Sequence, residues 1–111
     1  MLDPVTPQPH AARIAQPIAT TPYGAALQDL ERAARDACRC ALAGQAPTPV
    51  DLLRVPVERY AAAAAAAGHS PEAMLRRTKL LLRAYCVVHE SEGSQLITHA
   101  IDAFYRAQAA G

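Results

Sequence analysis

The sequence predicts an all-α protein, a small helical bundle of four main helices behind a proline-rich arm. Three observations carry this. Apolar residues recur at spacings of three and four through most of the chain after residue 22, no segment alternates with a period of two between turn residues, and Pro or Gly stands where helices should start and stop.

A chain of 111 residues fits one domain. Residues 1–21 read as a flexible arm and residues 22–111 as a single helical domain. Five of the nine prolines, Pro4, Pro7, Pro9, Pro17 and Pro22, fall in or beside the arm, which has no apolar periodicity. The apolar fraction of 51% contains much alanine, one Phe, four Tyr and no Trp, so each buried position removes little area from water. A core that thin often gains burial from a partner's surface, which makes a homodimer the expected state.

The first helix starts after Thr21, an N-cap residue with Pro22 at the first helical position, and ends near Gly44. Tyr23, Leu27, Leu30, Ala34, Ala37, Ala41 and Leu42 form its apolar face, and Asp29, Arg32, Asp36 and Arg39 fall opposite. A second start lies at Thr48-Pro49-Val50-Asp51, a capping box with the shorter acid. Pro56 follows within two turns and lacks an amide hydrogen, so the second segment should kink or split there, and a break near Arg54 is expected. Seven alanines then lead to Gly68, a run that permits close helix approach.

Ser70-Pro71-Glu72 repeats the start signal and is the best-marked boundary in the chain. The third helix carries Met74, Leu75, Leu81, Leu82, Tyr85 and Val88 on one face and a second stripe of Ala73, Leu80, Ala84 and Val87. Only a narrow side with Arg76, Lys79, Arg83 and Glu90 remains charged. A helix apolar on two sides should lie at the centre of a bundle or between two subunits. Residues 91–94 read as a tight connection, and Leu96, Ile97, Ala100, Ile101, Phe104 and Tyr105 define a last helix that should pair with the third as a hairpin.

Function is less visible than fold. Tyr60 with its alanines, Gly68-His69-Ser70, and Met74-Leu75-Arg76-Arg77 resemble a helix-turn-helix unit spanning residues 60–79, with a small residue four before the turn glycine. The resemblance implies a second helix that offers its first turns to a DNA major groove, with Arg76, Arg77, Lys79 and Arg83 as the nucleic-acid contacts. Residues 54–83 hold six basic and two acidic residues, a local excess of +4 within a chain of net charge +1. The pattern departs from the family at His69, where an apolar residue is usual, and at Arg77, where a core position falls. The same Gly-x-Ser-Pro-Glu run also serves as a simple end and restart between packed helices.

Cys86 and His89 on the third helix could meet His99 and Asp102 on the fourth, but their predicted faces diverge, so no metal site is expected. Cys38 and Cys40, two apart on a helix, point to different sides and read as reduced thiols. No nucleophile falls beside a base and no glycine-rich phosphate loop occurs, so neither catalysis nor a cofactor is expected. No apolar run reaches membrane-spanning length and no secretory pattern opens the chain, so the cytoplasm is the expected compartment. The reading is a non-enzymatic protein–protein interaction module, self-associating or a subunit of a larger assembly. Its contact surface is Ala73, Leu80, Ala84 and Val87, and the alternative is a small DNA-binding regulator.

Overall fold

A computed structural model describes residues 21–44, 49–85 and 90–110. They form four helices, α1 (Pro22–Leu42), α2 (Pro49–Ala66), α3 (Pro71–Tyr85) and α4 (Glu90–Ala110), with no strand among the described residues. No described helix is long and apolar enough to cross a membrane. Residues 1–20 of the arm expected over 1–21, the Thr48 cap, and Cys86, Val87, Val88 and His89 lie outside the described residues.

The helix ends follow the local chemistry. Thr21 has extended backbone angles, φ −78° and ψ 147°, and its side chain accepts a hydrogen bond from the Gly24 amide at 2.9 Å. Pro22 then occupies the first turn, where no amide hydrogen is required. At the other end Gly44 adopts φ 69°, the left-handed region that glycine reaches without a Cβ penalty. Ser70 caps α3 in the same way, its hydroxyl accepting from the Ala73 amide at 3.1 Å.

The end of α2 is a six-to-one closure. The His69 amide donates to the Ala64 carbonyl at 3.0 Å, the Gly68 amide donates to Ala65 at 3.1 Å, and Gly68 sits at φ 86°. Two orphan carbonyls are thus settled within six residues, and the direction in which His69 leaves the helix is fixed.

The core is one cluster. It contains Leu30, Ala34 and Ala37 of α1, Leu53, Val57, Tyr60, Ala61 and Ala64 of α2, Met74, Leu81 and Leu82 of α3, and Leu96, Ala100, Ala103 and Phe104 of α4. In α1, α3 and α4 these follow the three-and-four spacings read from the sequence, while the α2 face was not read there. Ala41 and Leu42, assigned to the same face of α1, are instead exposed.

Three expectations need correction. The second segment does not break near Arg54, since α2 runs through Pro56 as one helix. Leu53 and Val57, buried on either side of Pro56, hold both halves against the core, and that burial outweighs one missing backbone bond. Nor is α3 the organising element. The most extensive packing is between α2 and α4, followed by α1 and α2, while α3 makes smaller contacts with α4, α1 and α2. The cause is the alanine run: Ala61 and Ala64 are fully buried, and side chains that small let neighbouring backbones come close. Finally, residues 91–94 are not a connection but belong to the first turns of α4.

The described polar groups inside the bundle are matched. Thr78, the one buried polar residue among those described, donates from Oγ1 to the Met74 carbonyl at 2.9 Å. No buried side-chain nitrogen or oxygen among the described residues lacks a partner. The surface pairs Arg32–Asp29 at 3.2 Å and Arg54–Glu58 at 3.4 Å, together with Arg39–Asp36, are exposed and contribute a few tenths of a kcal/mol each, at about 0.3–0.5.

Candidate functional site

Rotation about α3 decides what it shows to solvent. At 3.6 residues per turn, Met74, Thr78, Leu81 and Leu82 point to one side, and all four are buried. About a third of a turn round from them lie Ala73, Leu80 and Ala84, the described members of the second apolar stripe. Leu80 is 56% exposed, Ala84 is exposed and Ala73 is half-buried. The stripe is therefore a surface feature and not a second core face.

The same rotation puts Arg76, Arg77 and Arg83 beside that stripe, all exposed, while exposed Lys79 lies further round. The sequence treated the apolar stripe and the basic side as separate features. In the folded chain they are one face, an apolar strip bracketed by guanidinium groups. Arg77 points outward, so it is not a core position, and the late core residues of α3 are Thr78, Leu81 and Leu82 instead.

Where this face meets α1 and the end of α2 there is a cleft of about 230 Å³, lined by Tyr23, Tyr60, His69, Ala73, Arg76, Arg77 and Leu80. Three elements build it. Thr21 and Pro22 set the start of α1 and so place Tyr23 in its first turn. The closure at Gly68 aims His69 across the helix end, and the two rings stack with centroids 4.5 Å apart and planes at 12°. Tyr60, 1% exposed, forms the floor, its ring 5.5 Å from that of Tyr23 at 48°.

The hydroxyls of Tyr23 and Tyr60 lie 3.1 Å apart and share one hydrogen bond. Burial, then this bond, then the Tyr23 charge push the Tyr60 phenol well above its ordinary value of 10.0, while the Arg77 guanidinium acts in the opposite sense. Tyr60 therefore stays a neutral donor and acceptor at any physiological pH. Arg77 lines the same cleft as the phenol pair.

The cleft is donor-rich. Two guanidiniums, an imidazole and two phenols line it, and no carboxylate does. Among the described residues neither Arg76 nor Arg77 has an ion-pair partner. Sequence reasoning found Ala73, Leu80, Arg76 and Arg77 but missed Tyr23, Tyr60 and His69. The available signal was partial: the place after a left-handed cap glycine fixes the direction in which His69 leaves α2, but nothing local names Tyr23 of α1 as its stacking partner.

Other candidates separate. The Nδ1 of His99 lies 3.6 Å from Glu58 Oε2 of α2, and Asp102 offers Arg106 its carbonyl, at 3.4 Å. Among the described residues no group of three His, Cys, Asp or Glu side chains could hold a metal ion. Cys38 and Cys40 are free and half-buried. A second, shallower depression is lined by Glu58, Arg59, Ala62, Ala103, Arg106 and Ala107 between α2 and α4. Comparison with protein-family models, with curated proteins and with solved structures finds no match for this chain.

Proposed function

We propose that this chain is a non-enzymatic helical protein–protein interaction module of the cytoplasm that docks its partner on the outer face of α3. The observation that carries the reading is Leu80, a large apolar side chain more than half exposed at the middle of a helix whose other side is buried. Ala73 and Ala84 extend the strip along α3 without obstructing a close approach.

Charge complementarity favours one kind of occupant. Arg76, Arg77 and Arg83 border the strip, so a segment with apolar residues at its centre and acidic residues at its margins suits it. Two copies of α3 meeting face to face would set these guanidiniums against their own counterparts, which costs affinity. The expected partner is thus a different, acidic segment, and the homo-oligomer is the other outcome of the test.

A photo-crosslinking residue in place of Ala84 in the full chain captures whatever covers the face, and sedimentation velocity at micromolar concentration reports self-association. The expected result is an adduct that disappears when Leu80→Glu is added. A strictly monomeric particle with no adduct at position 84 overturns the reading.

The second reading, a small DNA-binding regulator, is favoured by the same three arginines together with exposed Lys79. A duplex-retention assay across salt concentrations separates it, because phosphate contacts give binding that falls steeply with salt. The exposed Leu80 in the middle of the basic face favours the protein partner.

A further inference from the structure

The cleft at the α1–α2–α3 junction has a composition that selects for a particular chemical group, and its parts can be read one at a time. Its charged lining is Arg76 and Arg77 alone, neither of them neutralised by a described carboxylate. A guanidinium pair with no paired carboxylate, beside aromatic walls, suits an anion held by charge-assisted hydrogen bonds.

The phenol pair adds a neutral donor. Two hydroxyls joined by a single hydrogen bond use one hydrogen and leave the other free. When buried Tyr60 donates to Tyr23, the half-exposed Tyr23 keeps its own O–H to offer into the cleft. The raised Tyr60 pKa keeps that arrangement protonated.

The rest of the lining is apolar or aromatic. Ala73 and Leu80 form one wall, and the stacked Tyr23 and His69 rings form another. At about 230 Å³ the cleft is smaller than the roughly 300–1,000 Å³ of pockets for drug-sized ligands, so it holds a single side chain or one small acid.

We infer that the cleft binds a carboxylate carried on a short apolar stem, with Arg76 and Arg77 and the Tyr23 hydroxyl holding the carboxylate and Ala73, Leu80 and the Tyr23–His69 stack enclosing the stem. Two sources supply that chemistry, an acidic side chain of the segment docked on α3 or a free small carboxylic acid. In the first case the inference rests on the docking reading and names its anchor. In the second case it stands alone.

The test is a solution NMR titration of the full chain, following the ring resonances of His69 and Tyr23. The free acid is 3-phenylpropanoate with 3-phenylpropanamide as its neutral counterpart. The peptide arm is a blocked Leu-Ala-Glu-Leu peptide with its Glu-to-Gln analogue. The expected result is saturable shifts of both rings by the acids only, weakened about tenfold or more in an Arg76→Gln, Arg77→Gln double variant. Both arginines are exposed, so the double variant keeps its fold, and an unchanged amide spectrum elsewhere checks this.

Tighter binding of the peptide assigns the site to a docked side chain, and tighter binding of phenylpropanoate assigns it to a free acid. Equal shifts from the acids and their neutral counterparts, or no ring shift from any of the four, overturn the inference. Its failure is distinguishable from failure of the docking reading. An Ala84 adduct that survives the double arginine variant while the acids do nothing keeps the docking face and removes the carboxylate site.

Discussion

The hydroxyl of Tyr23, in the first turn of α1, lies 3.1 Å from that of Tyr60, at the buried middle of α2. One hydrogen bond between residues 37 apart in the chain therefore joins the start of the first helix to the centre of the core.

This bond has a pH signature. The folded phenol of Tyr60 ionises above the ordinary value of 10.0 that it has in the unfolded chain. Once the pH passes that value the unfolded state loses the proton first, and stability falls from there towards the higher folded value. Urea titrations at neutral and strongly alkaline pH should show a smaller alkaline loss for Tyr60→Phe than for the parent. At neutral pH that variant should lose about 0.5–1.5 kcal/mol with the hydrogen bond.

Gly68→Ala isolates a conformational cost. No heavy atom lies within 4 Å of where the new Cβ would stand, so crowding contributes nothing, and φ 86° contributes everything. The expected loss is about 1–2 kcal/mol, read as a lower urea midpoint at unchanged slope. Because His69 follows, its ring resonances should shift as well.

The two sides of α3 should respond in opposite ways to substitution. Leu80→Glu, on the exposed side, should leave the melting temperature close to that of the parent, within about 0.5 kcal/mol of stability. Met74→Ala, fully buried six residues earlier, should cost about 2–5 kcal/mol. Circular dichroism melts of the pair check both, and equal losses would mean that α3 has no free face.

Ala64→Leu tests the close approach of α2 to its neighbours. Ala64 is fully buried, and three added carbons would have to displace packed side chains. A loss of about 1–3 kcal/mol is expected. Ala66→Leu, at an exposed position of the same run, should be nearly neutral. Chemical denaturation of the two variants provides the comparison.

Much of the fold was legible because its signals are local. Thr21-Pro22 and Ser70-Pro71 mark helix starts through bonds made within three residues, and Gly44 and Gly68 mark ends through a backbone angle. The two-sided pattern of α3 was also legible, since rotation about one helix needs no knowledge of its neighbours. The centrality of α2 was not. An alanine run has little hydrophobic signal of its own, and its value appears only in the distance that it allows between backbones. Pro56 misled for a related reason, because burial of Leu53 and Val57 is a tertiary effect. The cleft was half legible: Arg76, Arg77, Ala73 and Leu80 share one helix face, whereas the stacking of Tyr23 on His69 joins residues that only the assembled bundle brings together.

Pro56 carries one more consequence, for how the molecule opens. With no amide hydrogen at that position, the hydrogen-bond ladder of α2 is interrupted between its first turns and the alanine run. Each stretch can then fray without unzipping the other. Tyr60, Ala61 and Ala64 lie beyond the interruption, so amides after Pro56 should exchange with solvent deuterium more slowly than those before it. The floor of the cleft then belongs to the slow-exchanging half, and the bundle can breathe at the start of α2 while the cleft stays assembled.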